Sequence, residues 1–290
     1  MKVQDLDKHA RYMRSKVFNQ MLSSRSSKYR AFLRYLHLFK YITLKFTRGN
    51  FLESYYTLMR YLDDIVDGDA VLPEGYLNSA EYIKEKINFS ENPISPKDEV
   101  DYLMLHCFQL AKKFNQDFRF ETKDILNSLL FDANRKGKLI IFPEKDLFEH
   151  FHKLDIEGTI KATLKIFNEN PEKSILIEPL GIASRYQFDL EDFEDDIKAG
   201  YVNISKEECQ QFEIEPVNFH DKESASIKKW FYSRAEKGLS LLNEHHKKIT
   251  KGNFSLLIRL TFFFVYELPA RRVFHKILSE KSICQDIKDN

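Results

Sequence analysis

The sequence is poor in the two residues that most often shape tight turns. Of its 290 residues, nine are glycine and eight are proline. A doubly wound α/β protein or an all-β protein needs many tight turns, and glycine and proline commonly occupy them. The shortage therefore argues against both classes and favours a largely helical chain.

Cysteine is also scarce. The three cysteines, Cys107, Cys209 and Cys284, are far apart in the sequence. None forms a pair at the short spacing that is typical of a disulfide framework or a zinc knuckle. Because a chain without such pairs suits a reducing compartment, we expect a cytoplasmic protein.

Long apolar runs and an excess of one charge are both missing. The longest mainly apolar run, near 260–265, is far shorter than the ~20 residues that span a bilayer. Residues 1–10 are charged and lack the apolar core of a secretory signal. The 45 basic and 44 acidic residues leave a net charge of +1, which attracts neither nucleic acid nor an anionic membrane strongly. We expect no nucleic-acid partner and at most peripheral membrane contact.

Helical periodicity recurs along almost the whole chain, interrupted by loops with glycine or proline. We predict helices at 4–22, 27–46, 51–67, 77–89, 98–115, 119–134, 145–167, 176–199, 223–249 and 254–280. Pro269 should kink the last of them. The run 139–142 is a candidate short strand. Because no repeat or shift in composition marks a boundary, we predict one domain over residues 1–290.

Two segments place carboxylates on one face of a predicted helix. In the first acidic stripe, Tyr56, Arg60, Asp63 and Asp67 share a face because residues three and four apart are neighbours on a helix. The second acidic stripe repeats the spacing with Arg185, Asp189, Asp192 and Asp196. A single acidic run is usually a solvated helix face. Two runs of equal spacing, each with an arginine followed by carboxylates, indicate instead a site for a hard cation such as Mg²⁺, with room for a phosphate group.

These motifs resemble the signatures of the squalene/phytoene synthase family. The first signature is an arginine three residues before Asp-x-x-x-Asp, matched by Arg60, Asp63 and Asp67. The second is Asp-x-x-x-Asp followed by a glycine, matched by residues 192–196 and Gly200. Further matches are Tyr56, the sequence Glu157-Gly158-Thr159, and the segment around Trp230. The resemblance covers residues 50–275.

The resemblance implies an all-α class I isoprenoid synthase (terpenoid synthase) fold, a single helical bundle around a central cavity. It implies a magnesium-dependent prenyltransferase that ionises farnesyl or geranylgeranyl diphosphate and condenses two chains head-to-head, releasing diphosphate. The catalytic residues would be Asp63, Asp67, Asp192 and Asp196. The metal ligands would be these four with Asp64 and Asp195. The substrate would be bound by Tyr56, Arg60, Arg185 and Lys198.

Departures from the family pattern keep two alternatives open. Arg185 and Phe188 stand where the family has glutamine and asparagine, and Tyr201 stands where it has an arginine. A class I terpene cyclase that acts on one prenyl diphosphate fits the Asp-Asp-x-x-Asp of residues 63–67. A catalytically silent relative that serves in binding or assembly is the second alternative. NADPH stays open as a reductant, although the chain has no glycine-rich dinucleotide motif.

Several other groups have two interpretations. The pairs His150/His152 and His245/His246 lack the spacing of a helical zinc site, so we expect them at the surface. The loop with Arg135, Lys136 and Lys138 is expected to be solvated. A cluster of apolar residues near the C-terminus should line an apolar tunnel or pack in the core: Leu256, Leu260, Phe262, Phe263 and Phe264.

Overall fold

The structure is a computed structural model that describes residues 3–24, 36 and 46–288. All regular structure in these ranges is helical, and no strand occurs in them, so the all-α class is confirmed. The contacts divide the chain into two compact units. The first comprises Met1–Asn134 with Lys165–Phe167, and the second comprises Arg135–Leu164 with Asn168–Asn290. The single domain over residues 1–290 stays a prediction.

The first unit contains five helices among the residues that the structure describes. Its helices are α1 (Val3–Ser24), α2 (Phe46–Asp67), α3 (Ser79–Glu91), α4 (Glu99–Lys112) and α5 (Arg119–Arg135). Helix α2 packs against α1 and α4, and α1 also packs against α4. The aromatic rings of Phe51, Tyr55 and Phe118 lie in mutual contact in its core. The predicted helix at 27–46 falls outside the described residues except for Leu36 and Phe46, both helical.

Helices α3 and α4 are joined by a buried ion pair. The Lys86 side chain is fully buried, and its Nζ lies 2.7 Å from carboxylate oxygens of both Asp98 and Asp101. The amine also lies 4.7 Å from the centre of the Tyr82 ring. Because a buried charge is costly unless it is paired, these two aspartates explain how a lysine can occupy the core.

The second unit contains the rest of the helices, including two π-helical turns. In chain order these are α6 (Glu144–Phe151), a π-helix (His152–Ile160), α7 (Lys161–Ile166, ending within the first unit), α8 (Ser174–Glu191), α9 (Phe193–Ala199), α10 (Lys206–Phe212), α11 (Ala225–Lys251), α12 (Leu256–Phe262), a second π-helix (Phe263–Glu267) and α13 (Leu268–Lys288). Short 3₁₀ turns lie at Pro171–Lys173 and Pro216–His220. Helix α8 packs against α11 and the first π-helix, and α11 also packs against α13.

Three details differ from the sequence predictions. The predicted helix 176–199 is interrupted at Asp192, which ends α8 and precedes α9. A π-helix, Phe263–Glu267, directly precedes the turn that contains Pro269, where proline cannot donate the usual backbone hydrogen bond. The prediction of a strand at 139–142 is wrong: the segment is irregular, and Leu139 has a φ of 48°.

Within the described ranges no helix is both long enough and apolar enough to cross a membrane.

A close backbone contact joins the end of α9 to the loop before α6. Gly200 has a φ of 86°, and a Cβ on it would lie 2.3 Å from the Cα of Gly137. Two hydrogen bonds flank the contact: Gly137 N donates to Ala199 O at 3.0 Å, and Leu139 N donates to Gly200 O at 3.1 Å. Glycine at 200 is therefore required both by the backbone conformation and by the available space.

Candidate functional site

The first acidic stripe occupies about the last three turns of α2. The Arg60 guanidinium pairs with two carboxylates: Nη1 donates to Asp63, and Nη2 lies 2.8 Å from Oδ1 of Asp64. Asp64 is buried, whereas Asp63 and Asp67 are only half-buried. Tyr56 is half-buried one turn before Arg60. The Arg60 guanidinium therefore bridges two neighbouring carboxylates of its own helix, and these two contacts make up the Arg60 fork.

The ionisation of Asp63 in this stripe is strongly perturbed. Burial raises the pKa of Asp63 to about 7; the positive charge of Arg60 opposes the shift, and the carboxylates of Asp67, Asp132 and Asp64 add to it. Asp132 lies on α5, and sequence reasoning missed it because it is an isolated acidic residue in a mixed helix. Such crowding of carboxylates is a common feature of cation and catalytic sites.

The second acidic stripe continues across the interruption at Asp192. Asp192 is exposed and ends α8, yet its carbonyl accepts a hydrogen bond from the backbone N–H of Asp196 at 2.8 Å. The two aspartates therefore stay one helical turn apart, as the spacing predicted. Asp195 and Lys198 lie on the outer surface of α9, with side chains 85% and 74% exposed and a separation of 3.3 Å.

Asp189 differs from the rest of the second stripe because it is buried between two arginines. Arg185 Nε donates to Oδ1 at 2.9 Å, and Arg234 Nη1 donates to Oδ2 at 3.2 Å. Arg234 also donates from Nη2 to Glu208 at 2.8 Å. Both oxygens of Asp189 are thus used within the protein, which indicates a structural role. Sequence reasoning missed Arg234 and Glu208, whose positions in the chain carry no motif.

Asp196 is half-buried beside the loop that follows α9. Its Oδ2 accepts a hydrogen bond from Asn203 Nδ2 at 2.8 Å. Burial raises the pKa of Asp196 to about 7; the guanidinium of Arg185 opposes the shift, and the carboxylates of Asp189 and Asp192 add to it. Both stripes therefore contain one aspartate whose negative charge is disfavoured by burial and by neighbouring carboxylates.

The second unit has a cavity of about 70 Å³ next to this stripe. Arg185 and Arg234 contribute to its wall, each stacked on an aromatic ring: Arg185 lies 4.4 Å from the centre of Phe151, and Arg234 lies 4.2 Å from that of Tyr186. Asn203 also lines it. The wall therefore combines guanidinium groups with aromatic surface.

Several predictions about surface and core positions are wrong. Arg135, His150 and His245 are buried, so they are neither solvated loop nor surface residues. In the apolar cluster near the C-terminus, Phe262 packs in the core as one interpretation had it. The other members are exposed, so they do not pack in the core, and a role in lining a tunnel stays a prediction for them: Leu256, Leu260, Phe263 and Phe264. Amphipathic periodicity predicts that one face is buried but does not show which neighbour covers it.

The chemistry of the aspartates in the two stripes indicates which metal ion they could bind. Asp63 and Asp67 in the first stripe, and Asp192 and Asp196 in the second, offer oxygen donors only, as Mg²⁺ prefers. A cation would also relieve the crowding of negative charge that raises the pKa of Asp63 and Asp196. The residues therefore fit magnesium chemically, although no cluster of three or more His, Cys, Asp or Glu in the described part of the chain is arranged to hold a metal.

Comparisons with known proteins identify the fold. No family model matches the sequence, and no curated protein has a significantly similar sequence. The chain is similar to the crystal structure of squalene synthase HpnC from Alicyclobacillus acidocaldarius, with a TM-score of 0.67, 12% identity, and coverage of 93% of this chain and 95% of that one. It is also similar to a dehydrosqualene synthase solved with a ligand, with a TM-score of 0.59, 16% identity, and coverage of 96% and 98%. These likenesses confirm the isoprenoid synthase fold expected from the sequence motifs.

Proposed function

We propose that this chain is a magnesium-dependent prenyltransferase that ionises an allylic isoprenoid diphosphate and joins two chains head-to-head. The proposal rests on the electrostatic similarity of the two acidic stripes. Each has an arginine that precedes its aspartates, a half-buried aspartate with its pKa raised to about 7, and a second aspartate one turn away. This arrangement occurs on a fold that the chain shares with a squalene synthase and a dehydrosqualene synthase.

The proposed metal ligands are Asp63, Asp67, Asp192 and Asp196. Magnesium bound there would neutralise the diphosphate as the carbon–oxygen bond breaks. Asp64 is not among them, because its side chain is only 3% exposed, whereas that of Asp63, which also pairs with Arg60, is 32% exposed. Asp195 is left out because its side chain is almost fully exposed and pairs with Lys198.

Arginines would supply the remaining positive charge. The Arg60 fork orders Asp63 and Asp64 and keeps a guanidinium at the stripe, where it can donate to phosphate oxygens. Arg185 is held by Asp189 and by the face of Phe151, so its position at the cavity wall is fixed before any substrate binds. Both arginines remain charged at any working pH, and a pre-positioned donor costs little reorganisation during reaction.

The aromatic wall suits the rest of the substrate. Phe148, Phe151 and Tyr186 line the cavity of the second unit with Ile156 and Ile182. Apolar walls keep water away from an allylic cation, which water would otherwise quench. Farnesyl or geranylgeranyl diphosphate is the proposed substrate class, and the product would be a squalene-, dehydrosqualene- or phytoene-type hydrocarbon.

Incubation with prenyl diphosphates tests the proposal directly. The purified protein would be given farnesyl or geranylgeranyl diphosphate with Mg²⁺, with and without NADPH. Pyrophosphate release would be measured and the organic extract analysed by mass spectrometry. We expect a C30 or C40 hydrocarbon. A C30 product that requires NADPH would indicate squalene formation, and a product formed without a reductant would indicate a dehydrosqualene or phytoene type.

Two results would favour other functions. A cyclic product with the carbon count of one substrate would identify a terpene cyclase, an alternative that Arg185 supports because it replaces the family's glutamine with a fixed positive charge beside the cavity. No pyrophosphate release from folded protein with either substrate would favour a catalytically silent binding protein. The observation that agrees with a catalytically silent protein is that the described side chains include no cluster of three or more groups placed to hold a metal.

A further inference from the structure

The loop after α9 places one amide side chain directly against the second stripe. Asn203 is buried, and its Nδ2 lies 2.8 Å from Oδ2 of Asp196, seven residues earlier. Asn203 belongs to a stretch of buried residues, 201–205, that begins immediately after Gly200. The turn at Gly200 reverses the chain, so that this stretch returns past the end of α9. The amide is therefore brought to Asp196 by the turn.

The orientation of the Asn203 amide is determined by an arginine. Arg135 is buried, and its Nη1 donates to Asn203 Oδ1 at 2.8 Å and to Val202 O at 3.3 Å. A guanidinium group has only donors, so the amide must present its oxygen to Arg135. Its NH₂ group then faces Asp196, and a carboxylate oxygen must accept the hydrogen bond. The assignment of nitrogen and oxygen in this amide follows from chemistry and needs no other assumption.

The main chain of the loop that contains Asn203 is also held in place, by Arg234. Arg234 Nη2 lies 3.4 Å from the main-chain oxygen of Asn203 and 2.8 Å from Glu208 on α10. Ser205 caps α10 through a reciprocal pair of hydrogen bonds with Glu208. Asn203 is thus attached at its backbone and at both ends of its amide, so it can restrain a neighbour without moving itself.

We propose that Asn203 is a positioning residue for Asp196, holding one carboxylate oxygen so that the other faces a magnesium ion and its diphosphate. No residue in the described ranges donates a hydrogen bond to the second oxygen, Oδ1. Hydrogen bonds of this kind fix the direction of a metal-binding carboxylate, and their loss commonly weakens metal binding. The inference rests on the proposed function, in which Asp196 is a metal ligand.

A binding experiment without turnover tests it. Inorganic pyrophosphate would be titrated into the purified full chain in the presence and absence of Mg²⁺, with isothermal titration calorimetry as the readout. Asn203→Asp keeps the oxygen that accepts from Arg135 but replaces the donor to Asp196 with a second acceptor. We expect the magnesium-dependent affinity for pyrophosphate to fall about ten- to hundredfold, with little change in affinity without Mg²⁺.

Asn218→Asp is the matched control. The Asn218 amide oxygen accepts from the backbone N–H of Glu215 in a 3₁₀ turn outside the stripe, and aspartate can do the same. This variant should bind magnesium pyrophosphate like the wild type. If Asn203→Asp does not fold, Asn203→Ser, whose side chain is too short to reach Asp196, should show the same loss. If neither folds, the Asn203 side-chain amide signals of the ¹⁵N-labelled wild type should shift when Mg²⁺ and pyrophosphate are added together.

The outcomes separate this inference from the function on which it rests. Folded Asn203→Asp that binds magnesium pyrophosphate as tightly as the wild type would overturn the positioning role alone. Unmoved amide signals in the wild type would do the same. If the wild type itself binds no pyrophosphate in a magnesium-dependent way, the metal ligands are wrongly assigned and the inference fails with them. Product formation from a prenyl diphosphate is measured separately and does not enter this test.

Discussion

Arg234 donates from Nη1 to Oδ2 of Asp189 at 3.2 Å, a contact between residues 45 positions apart in the sequence. It separates Asp189 from the other acidic residues of its stripe, because a carboxylate that is neutralised by two arginines is unavailable to a cation. The same helix face therefore carries one structural aspartate and two candidate ligands. Sequence spacing alone assigned all three to one pattern.

The buried Asp189 should contribute to stability. We expect Asp189→Asn to lower the free energy of unfolding by about 3 kcal/mol, because Arg185 and Arg234 would lose a buried counter-charge. Urea denaturation followed by circular dichroism measures the change. The control is Glu194→Gln, an exposed residue whose nearest basic partner is 3.8 Å away, with an expected change below about 0.5 kcal/mol. Equal stability of the two variants would show that the arginine contacts do not stabilise the fold.

The four proposed ligands should be needed for turnover. Asp63→Asn, Asp67→Asn, Asp192→Asn and Asp196→Asn should each lower kcat at least about a hundredfold, because loss of metal stabilisation is worth several kcal/mol. Initial rates of pyrophosphate release, with circular dichroism to check the fold, measure the effect. Glu194→Gln carries the same chemical change on the exposed side of α9 and should retain the wild-type rate. Two ligand variants with near wild-type activity would refute the assignment.

Arg60 should matter for its fork as well as for its charge. Lysine keeps the charge but has a single ammonium nitrogen, so it lacks the two separate guanidinium nitrogens that contact Asp63 and Asp64. Loss of one charge-assisted hydrogen bond, worth about 1.5–3 kcal/mol, corresponds to a roughly ten- to hundredfold lower kcat/KM for Arg60→Lys. Arg14→Lys is the control, since Arg14 lies on α1 and pairs at 3.2 Å with Glu53 of α2, the helix that carries Arg60. An unchanged rate for Arg60→Lys would mean that Arg60 has a structural role only.

Gly200 should tolerate no side chain. Alanine there adds the strain of a positive φ, about 1–2 kcal/mol, and an overlap with the backbone of Gly137. We expect Gly200→Ala to lower the free energy of unfolding by about 3 kcal/mol. Gly75→Ala is the control, because Gly75 has a similar φ of 93° but no atom within 4 Å of the added Cβ. Urea denaturation should therefore show about 1–2 kcal/mol for Gly75→Ala. Equal losses would mean that the contact with Gly137 contributes nothing.

The buried His245 should make stability depend on pH. Burial lowers the pKa of His245 to about 4, with the charge of Glu267 opposing the shift, while the unfolded value stays near 6.5. The unfolded chain therefore binds a proton below pH 6.5 that the folded chain binds only near pH 4. The stabilisation is fully present above pH 6.5 and is lost as the pH falls towards 4, by up to about 3 kcal/mol.

Replacing this histidine should remove that part of the pH dependence. His245→Leu should flatten the fall in the free energy of unfolding between pH 7 and 4, measured by urea denaturation at several pH values. His246→Leu removes the neighbouring, exposed imidazole and should leave the slope unchanged. A wild-type stability that does not change over this range would contradict the lowered pKa.

Local patterns were sufficient to predict much of the fold. Periodicity predicted α2, α3 and α5 to within a few residues, and the low content of glycine and proline indicated the all-α class. The interruption at Asp192 and the two π-helices were missed, because such irregularities depend on how a helix packs against its neighbours. The exposure of Phe263 and Phe264 was missed for the same reason.

The sequence by itself determined which residues could form the acidic stripes, because the spacing of residues on a helix depends only on the geometry of that helix. Tertiary structure decided what each carboxylate does. Arg234 comes from α11 to neutralise Asp189, and the turn at Gly200 brings Asn203 back to Asp196. Hydrogen bonds between residues far apart in the chain depend on the packing of whole helices and loops, and no short sequence pattern contains that information.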